Sequence, residues 1–410
     1  MVALGLSSAR RLVYALPLHP GGGASCAGAE FDRGGMMIRT GSLAAYVTSH
    51  GFGHLNRTVA VLNRIPDDIP LIIRSSPDLL DHWRERLRRP AEFQAHVSDA
   101  GAVNPPGNSA DTDGPATLER AARVHSAAMQ RIDEYADELR DGRVSAVLCD
   151  ATPVPLVAAR RAGIPGFLLA NFTWADIYHP LAKRMGGERP SFVREVRHAY
   201  RHATAIFRCA PHLSMERIAP IIDVGMVVTP GRNRGRELRE DLGFSDRERL
   251  VYLYLGRYGQ DDYEWARIAR LGDRGVHFVG FHDPPAGSGP VPNLHVVAAS
   301  EWNGADLAAS CEVVVAKAGY GTVCESMAAG SPMIYPPRTG FAEYRALARA
   351  LNAWGGGVPA SRRAFDRLRI ERLLDRALSL APGPPPFPMD GADRVAAYLT
   401  DACLGRSLPR

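Results

Sequence analysis

From Leu43 onward, apolar β-rich runs alternate with amphipathic helical stretches. "LAAYVT" (43–48) is followed by "HLNRTVAVLNRI" (54–65), and "IPLIIRS" (69–75) by "PDLLDHWRERLRR" (77–89). "VSAVLCD" (144–150) is followed by "VPLVAARRAG" (154–163), and "IPGFLLAN" (164–171) comes next. Strands that are apolar throughout, joined to helices by short connections, predict a parallel sheet covered on both faces. "AGAVNPPGNSADTDGP" (100–115) reads as a long polar loop. Near 222–240 the pattern changes to the turn-rich, charged "TPGRNRGRELREDLGF", which suits an interdomain link and a helix. A second α/β series then runs through "RLVYLYLG", "GVHFVGF", "LHVVAA", "CEVVVAKAG" and "PMIYPP". A Pro/Gly-rich segment, 381–392, leads to one last helix over 391–404.

The expected organisation is two Rossmann-like domains of similar size. The first covers 41–225 and is completed by a C-terminal helix at 389–406; the second covers 226–388. A length of 410 residues agrees with two cores rather than one. Residues 1–40 read as a disordered leader. "RRLVYALPLHPGGGASCAGA" loosely imitates a signal peptide, but Pro17 and Pro20 break its apolar part, and Met36 or Met37 would serve as an alternative start.

Composition narrows the function classes. Hydrophobic residues make up 46%, yet no uninterrupted apolar run approaches the ~18–20 residues that span a bilayer, so at most peripheral membrane contact is expected. The net charge of +5 is spread along the chain, and Lys183 and Lys317 are its only lysines. No basic block resembles a nucleic-acid-binding arm, and no nucleic-acid partner is expected. Cys26, Cys149, Cys209, Cys311, Cys324 and Cys403 show no C-x-x-C spacing. This predicts reduced, mostly buried thiols in a cytoplasmic protein, with neither a disulfide framework nor a zinc site.

In open parallel sheets ligands bind beyond the carboxyl ends of strands. Three such ends in the first half are polar. The first is "TSHGFGH", where Gly51 and Gly53 permit tight turns and close approach to a ligand. His54 would open the next helix, whose free N–H groups favour an anion or oxyanion, while His50 shapes the turn. The second end is Asp150-Ala151-Thr152, and the third is Asn171-Phe172-Thr173-Trp174. Converging on one cleft, they would supply a base, an orienting carboxylate and hydrogen-bond donors. The structural alternatives are a packing role for His54, helix N-caps for Asp150 and Thr152, and simple packing for Trp174.

The densest stretch is "VVVAKAGYGTVCESMAAGSPMIYPP", 313–337. A strand ends in Lys317-Ala318-Gly319-Tyr320-Gly321, and a helix is expected from Thr322 to Gly330. Glycines before a helix N-terminus form a phosphate cradle, and Lys317 adds a full positive charge at its mouth. Thr322 and Glu325 also fit a capping box, which alone would account for the glutamate.

"KAGYGTVCESMAAGSP" resembles the donor-site signature of the GT-B glycosyltransferases, with Lys317, Gly319, Thr322, Glu325, Gly330 and Pro332 on its positions. The resemblance implies a GT-B fold. It implies that Lys317 and the Gly319–Thr322 turn, with Tyr320 and Gly321, hold a diphosphate, and that Glu325 holds ribose hydroxyls. Lys317 stands where relatives carry histidine or serine. "GFAEYRALAR" resembles the segment whose acid contacts the donor sugar, which puts Glu343 in that role. "YLGRYGQ" stands where relatives carry a small-residue donor loop: Gly256 is kept, and Arg257 would meet phosphate or be a surface charge.

A narrower likeness joins "YVTSHGFGHLNRTV", "LCDATPVPLVAARRAGIP", "NFTWADIY" and "AKAGYGTVCESM". In this order they resemble the N-terminal glycosyltransferase-like region of plant arabinokinases and their bacterial stand-alone relatives, over about Ala45 to Leu404. The kinase part of those fusions is not in this sequence, so sugar phosphorylation is not expected. The implied function is inverting, metal-independent transfer from a nucleoside-diphosphate sugar, UDP-linked by preference, to a hydroxyl of a small-molecule or lipid acceptor. His54 would be the base, and Asp150 its orienting partner. No cofactor is expected beyond the nucleotide-sugar co-substrate. Asp111-Thr112-Asp113 matches a metal-binding Asp-x-Asp in letters only, because no strand precedes it. The alternatives are a nucleotide-sugar-binding sensor without turnover, and a GT-B nucleotide-sugar 2-epimerase.

Overall fold

The computed structural model describes residues 41–106, 111–185, 191–255 and 263–407. Two α/β sheets carry the chain, as the alternating pattern predicts. The first contains β1 (Ser42–Val47), β2 (Leu71–Ser75), β3 (Glu92–Ala95), β4 (Val144–Asp150), β5 (Gly166–Ala170), β6 (Ala205–Cys209) and β7 (Ile221–Gly225), in the order β3-β2-β1-β4-β5-β6-β7. The second contains β8 (Arg249–Tyr254), β9 (Val276–Gly280), β10 (Leu294–Val296), β11 (Val313–Ala316), β12 (Met333–Tyr335) and β13 (Gly357–Pro359), in the order β10-β9-β8-β11-β12-β13. Every pairing is parallel.

Burial explains the strand composition. All six residues of β1 are buried; Leu43 and Ala45 enter one core and Ala44 and Tyr46 the other. With both faces dry, no polar alternation is needed. The edge strand β3 is partly exposed along its length and carries no apolar run, which is why no sequence pattern marks it. Of "LHVVAA", Leu294, His295 and Val296 pair with β9.

Each sheet reverses its direction of winding once, between β1 and β4 in the first and between β8 and β11 in the second. Crevices at such switch points are where open α/β sheets bind ligands. The polar ends of β1 and β4 flank the first point and the end of β11 flanks the second, while Asn171 follows β5, one strand further along.

The last helix, Gly391–Cys403, returns to the first sheet and packs on β1, β4, β7 and the helix Phe52–Leu62. Its start is seated tightly: a Cβ on Gly391 would lie 2.6 Å from both Val224 O and Met226 O. Gly391→Ala is therefore expected to lower stability by about 1–3 kcal/mol, by overpacking against backbone that cannot move cheaply. Urea unfolding checks this, and an unchanged midpoint would contradict it.

The five described cysteines, Cys149, Cys209, Cys311, Cys324 and Cys403, are buried and unbridged; Cys26 lies outside the described residues. Among the described residues, no helix is long and apolar enough to cross a membrane.

Candidate active site

The helix Phe52–Leu62 begins directly after the turn that follows β1. Its N-cap, Gly51, has φ 93°, a conformation other residues adopt only under strain. His54, Arg57 and Thr58 follow at spacings of three and four, so they share one face of the helix. That face meets Asp150 at the end of β4, the neighbour of β1 in the sheet. His54 Nδ1 lies 2.7 Å from Asp150 Oδ1. Arg57 grips both carboxylate oxygens, Nη2 to Oδ1 at 2.5 Å and Nε to Oδ2 at 2.9 Å, and Thr58 Oγ1 donates to Oδ2 at 2.8 Å.

Burial alone would raise the Asp150 pKa; Arg57 and His54 outweigh it and hold the group down to about 2. An ionised carboxylate only accepts, and arginine only donates. The 2.7 Å contact is therefore made by a proton on His54 Nδ1, and in the neutral ring Nε2 is then the acceptor. Arg57 Nη2 also stands 3.1 Å from His54 Nδ1, a longer contact that the shared oxygen of Asp150 accounts for. Asp150 and Thr152 do not cap the next helix, which starts at Val154 with Pro153 at its N-cap; Thr152 instead meets Ser98 Oγ at 2.8 Å.

Asn171, one residue beyond β5, accepts from Arg57 Nη1 at 2.7 Å. The three polar strand ends thus form one hydrogen-bonded cluster. Trp174 is not an open platform: it is 1% exposed, and its Nε1 donates to Asp99 Oδ2 at 3.1 Å. His50 packs edge-on to Trp174 and stacks on Phe341. Its Nδ1 accepts from the Ala102 N–H at 3.1 Å. Burial, and then repulsion from neighbouring cations that include Arg338 and Lys317, lowers its pKa well below the usual histidine range.

In the second sheet the helix begins at Tyr320 with Gly319 as N-cap and no side-chain cap. This is two residues earlier than expected, so Thr322 and Glu325 do not form a capping box. The earlier start is anchored by Tyr320, whose hydroxyl donates to Ala210 O at 3.2 Å and accepts from Val227 N–H at 3.0 Å. The Tyr320 side chain is thus a buried strut with the Arg57 guanidinium over its ring at 4.9 Å; only its backbone belongs to the cradle. Lys317 is partly buried at the end of β11. Burial and the nearby Arg338 cation lower its pKa to about 7, with Glu343 pulling the other way. Burial raises the Glu325 carboxyl to about 7. Gly256 and Arg257 lie outside the described residues.

The two halves touch at this point. A Cβ on Gly53 would come within 3.8 Å of Gly321 N, and one on Gly321 within 3.6 Å of Gly53 Cα. Two helix N-termini, one beside His54 and one beside Lys317, therefore converge. Glu343 crosses the same boundary: it is 4% exposed, and its Oε1 accepts from Asn171 Nδ2 at 2.6 Å. In this closed arrangement the expected sugar-contact acid is engaged by the opposite half. Asp111 makes a further tie, to Arg362 at 3.0 Å and to Thr339 at 2.5 Å, while Asp113 caps the helix Gly114–Gln130. Among the described residues, no group of three or more His, Cys, Asp or Glu could hold a metal ion.

Arg57, Thr58, Asp99 and Arg338 are the site residues that sequence reasoning passed over. For Arg57 and Thr58 a signal existed in their spacing from His54. Asp99 and Arg338 stand on irregular segments, where no periodicity reports which way a side chain faces.

No family model matches the chain. It is 26% identical over 374 residues to the L-arabinokinase of Arabidopsis thaliana, covering 88% of this chain and 34% of that protein, so it spans about a third of the relative's length. Among solved structures, the calicheamicin glycosyltransferase CalG4 superposes with a TM-score of 0.59 at 17% identity, over 90% of this chain and 100% of that one. A spinosyn rhamnosyltransferase complexed with thymidine diphosphate superposes at 0.56 with 16% identity, over 90% and 97%. At these identities the likeness concerns architecture: the chain has the GT-B fold.

Proposed function

We propose that the protein is a cytoplasmic glycosyltransferase that moves a sugar from a nucleoside-diphosphate sugar, UDP-linked by preference, to a hydroxyl of a small-molecule or lipid acceptor. Transfer proceeds with inversion and without a resident metal. The observation that carries this reading is the approach of Gly53 to Gly321, which sets the His54–Asp150 pair beside the helix N-terminus flanked by Lys317. Glycosyl transfer needs a base for the attacking hydroxyl and stabilisation of the charge that grows on the leaving diphosphate. His54 Nε2 suits the first task, with Asp150 holding the ring and balancing the imidazolium that forms. Lys317 and the N–H groups that open the helix Tyr320–Ala329 suit the second, in the part a metal ion plays elsewhere. Glu325, one turn on, is assigned the ribose hydroxyls, as the resemblance implies. The likeness to a rhamnosyltransferase that binds thymidine diphosphate supports a nucleoside diphosphate as the ligand.

UDP or dTDP is expected to raise the melting temperature and to bind with a pH dependence set by Lys317. Its pKa of about 7 in the free protein rises when an anion is bound, so binding takes up a proton. Above about pH 7 the phosphates are already fully ionised. Affinity should then fall roughly tenfold between about pH 7 and 8.5. Glu325 gains charge over the same range, so Lys317→Met, titrated in parallel by calorimetry, separates the two contributions. Absence of stabilisation by any nucleoside diphosphate would sink the reading. Binding with no donor hydrolysis, unchanged in His54→Ala, would instead leave a sensor.

A further inference from the structure

Arg338 follows β12 and carries no role so far. Its side chain is 6% exposed. Nη1 donates to Ala318 O at 3.4 Å, so the guanidinium reaches over the turn that precedes the helix Tyr320–Ala329. The same nitrogen is 3.9 Å from Glu343 Oε2, and the Phe341 ring centroid lies 4.5 Å from the guanidinium carbon. Its Nε is buried with no hydrogen-bond partner among the described residues. Burial lowers the pKa of Arg338, while Glu343 and Asp111 pull it back, and its charge bears in turn on Lys317 and His50.

A buried guanidinium donor left unmade costs about 1–3 kcal/mol or more. Arg89 and Arg239 also leave Nε unmade, but their other nitrogens reach backbone or carboxylate oxygens closely, whereas Arg338 has the single long contact to Ala318 O. Here the cost falls beside a second cation and a helix N-terminus, while the nearest acid, Glu343, already accepts from Asn171. The Nε edge of Arg338 thus lacks an acceptor among the described residues. From this we infer that Arg338 is a second cation of the donor site, with the Nε edge of its guanidinium taking a β-phosphate oxygen next to Lys317. The inference rests on the donor-site reading above. Its contact with the turn itself, through Ala318 O, favours the β-phosphate over a carboxylate on the sugar. A planar fork suits phosphate oxygens, and an arginine keeps its charge at pH values where Lys317 begins to lose its own.

Calorimetric titration of wild type and Arg338→Met with UDP, UMP and UDP-glucuronate, alongside ligand-free melting, tests this. Loss of a charge-assisted contact to the β-phosphate should weaken UDP binding about 10- to 100-fold and leave UMP binding within about twofold. The ligand-free variant should melt at or above the wild-type temperature, because an incompletely paired buried charge has been removed. Arg338→Lys should recover part of the UDP affinity. Equal losses for UDP and UMP with a lowered melting temperature would make Arg338 a structural residue and overturn the inference. Unchanged UDP affinity would overturn it too, and a loss confined to UDP-glucuronate would reassign the anion to the sugar. If wild type binds none of the three, nor dTDP, the donor-site reading itself fails; if wild type binds UDP and the variant matches it, only the inference about Arg338 fails.

Discussion

His54→Ala is expected to lower turnover of the nucleotide-sugar donor by about 10²–10⁴-fold, the usual worth of a positioned general base, while nucleoside-diphosphate affinity stays within a few-fold of wild type. The two readouts separate because the groups sit on opposite halves of the cleft: His54 on the helix after β1, Lys317 at the end of β11. The fold should tolerate the change. Asp150 keeps Arg57 and Thr58 as donors when the imidazole is gone, so no buried charge is stranded. Donor hydrolysis, with water as the attacking hydroxyl, is the assay of choice because it requires no knowledge of the acceptor. Turnover within about threefold of wild type would remove His54 from the role of base.

Asp150→Ala should cost about 3–5 kcal/mol of stability, the largest effect expected of any single change in the site. The carboxylate is fully buried and receives four contacts from three residues. Without it Arg57 is left as a buried cation with no carboxylate among its described contacts, which are then Asn171, His54 and the Tyr320 ring. Adding Arg57→Met to Asp150→Ala should recover part of the loss, since both members of the ion pair are then absent. The pH dependence has a definite sign. The Asp150 pKa is depressed from 3.8 to about 2 in the fold, so its stabilising contribution is fully present above pH 3.8 and is lost as pH falls through about 2. Acid unfolding of Asp150→Ala should lack that component. A double-mutant cycle by urea unfolding, in which the Arg57 and Asp150 effects simply add, would show that the pair is not coupled.

The chain alone declared its two α/β halves, because a strand buried on both faces must be apolar throughout and a covering helix must be amphipathic. Those periodicities depend on local sequence. The same holds for His54 after Gly51 and Gly53, for Asp150 and Asn171 at strand ends, and for Lys317 before a glycine turn: each is a polar residue placed where an apolar run stops. Tertiary structure decided how they combine. Nothing local says that β1, β4 and β5 lie side by side, which is what brings His54, Asp150 and Asn171 into one hydrogen-bonded cluster. Tyr320 looked like part of a ligand loop, and only its contacts with Ala210 and Val227 reveal a strut that starts the helix two residues early. Glu343 meets Asn171 across 172 positions of sequence, and Arg338 reaches the cradle from an irregular segment with no period to betray it. Strand and helix are set by the spacing of neighbours along the chain, whereas the partner of a buried charge is set by whichever distant segment the sheet order delivers beside it.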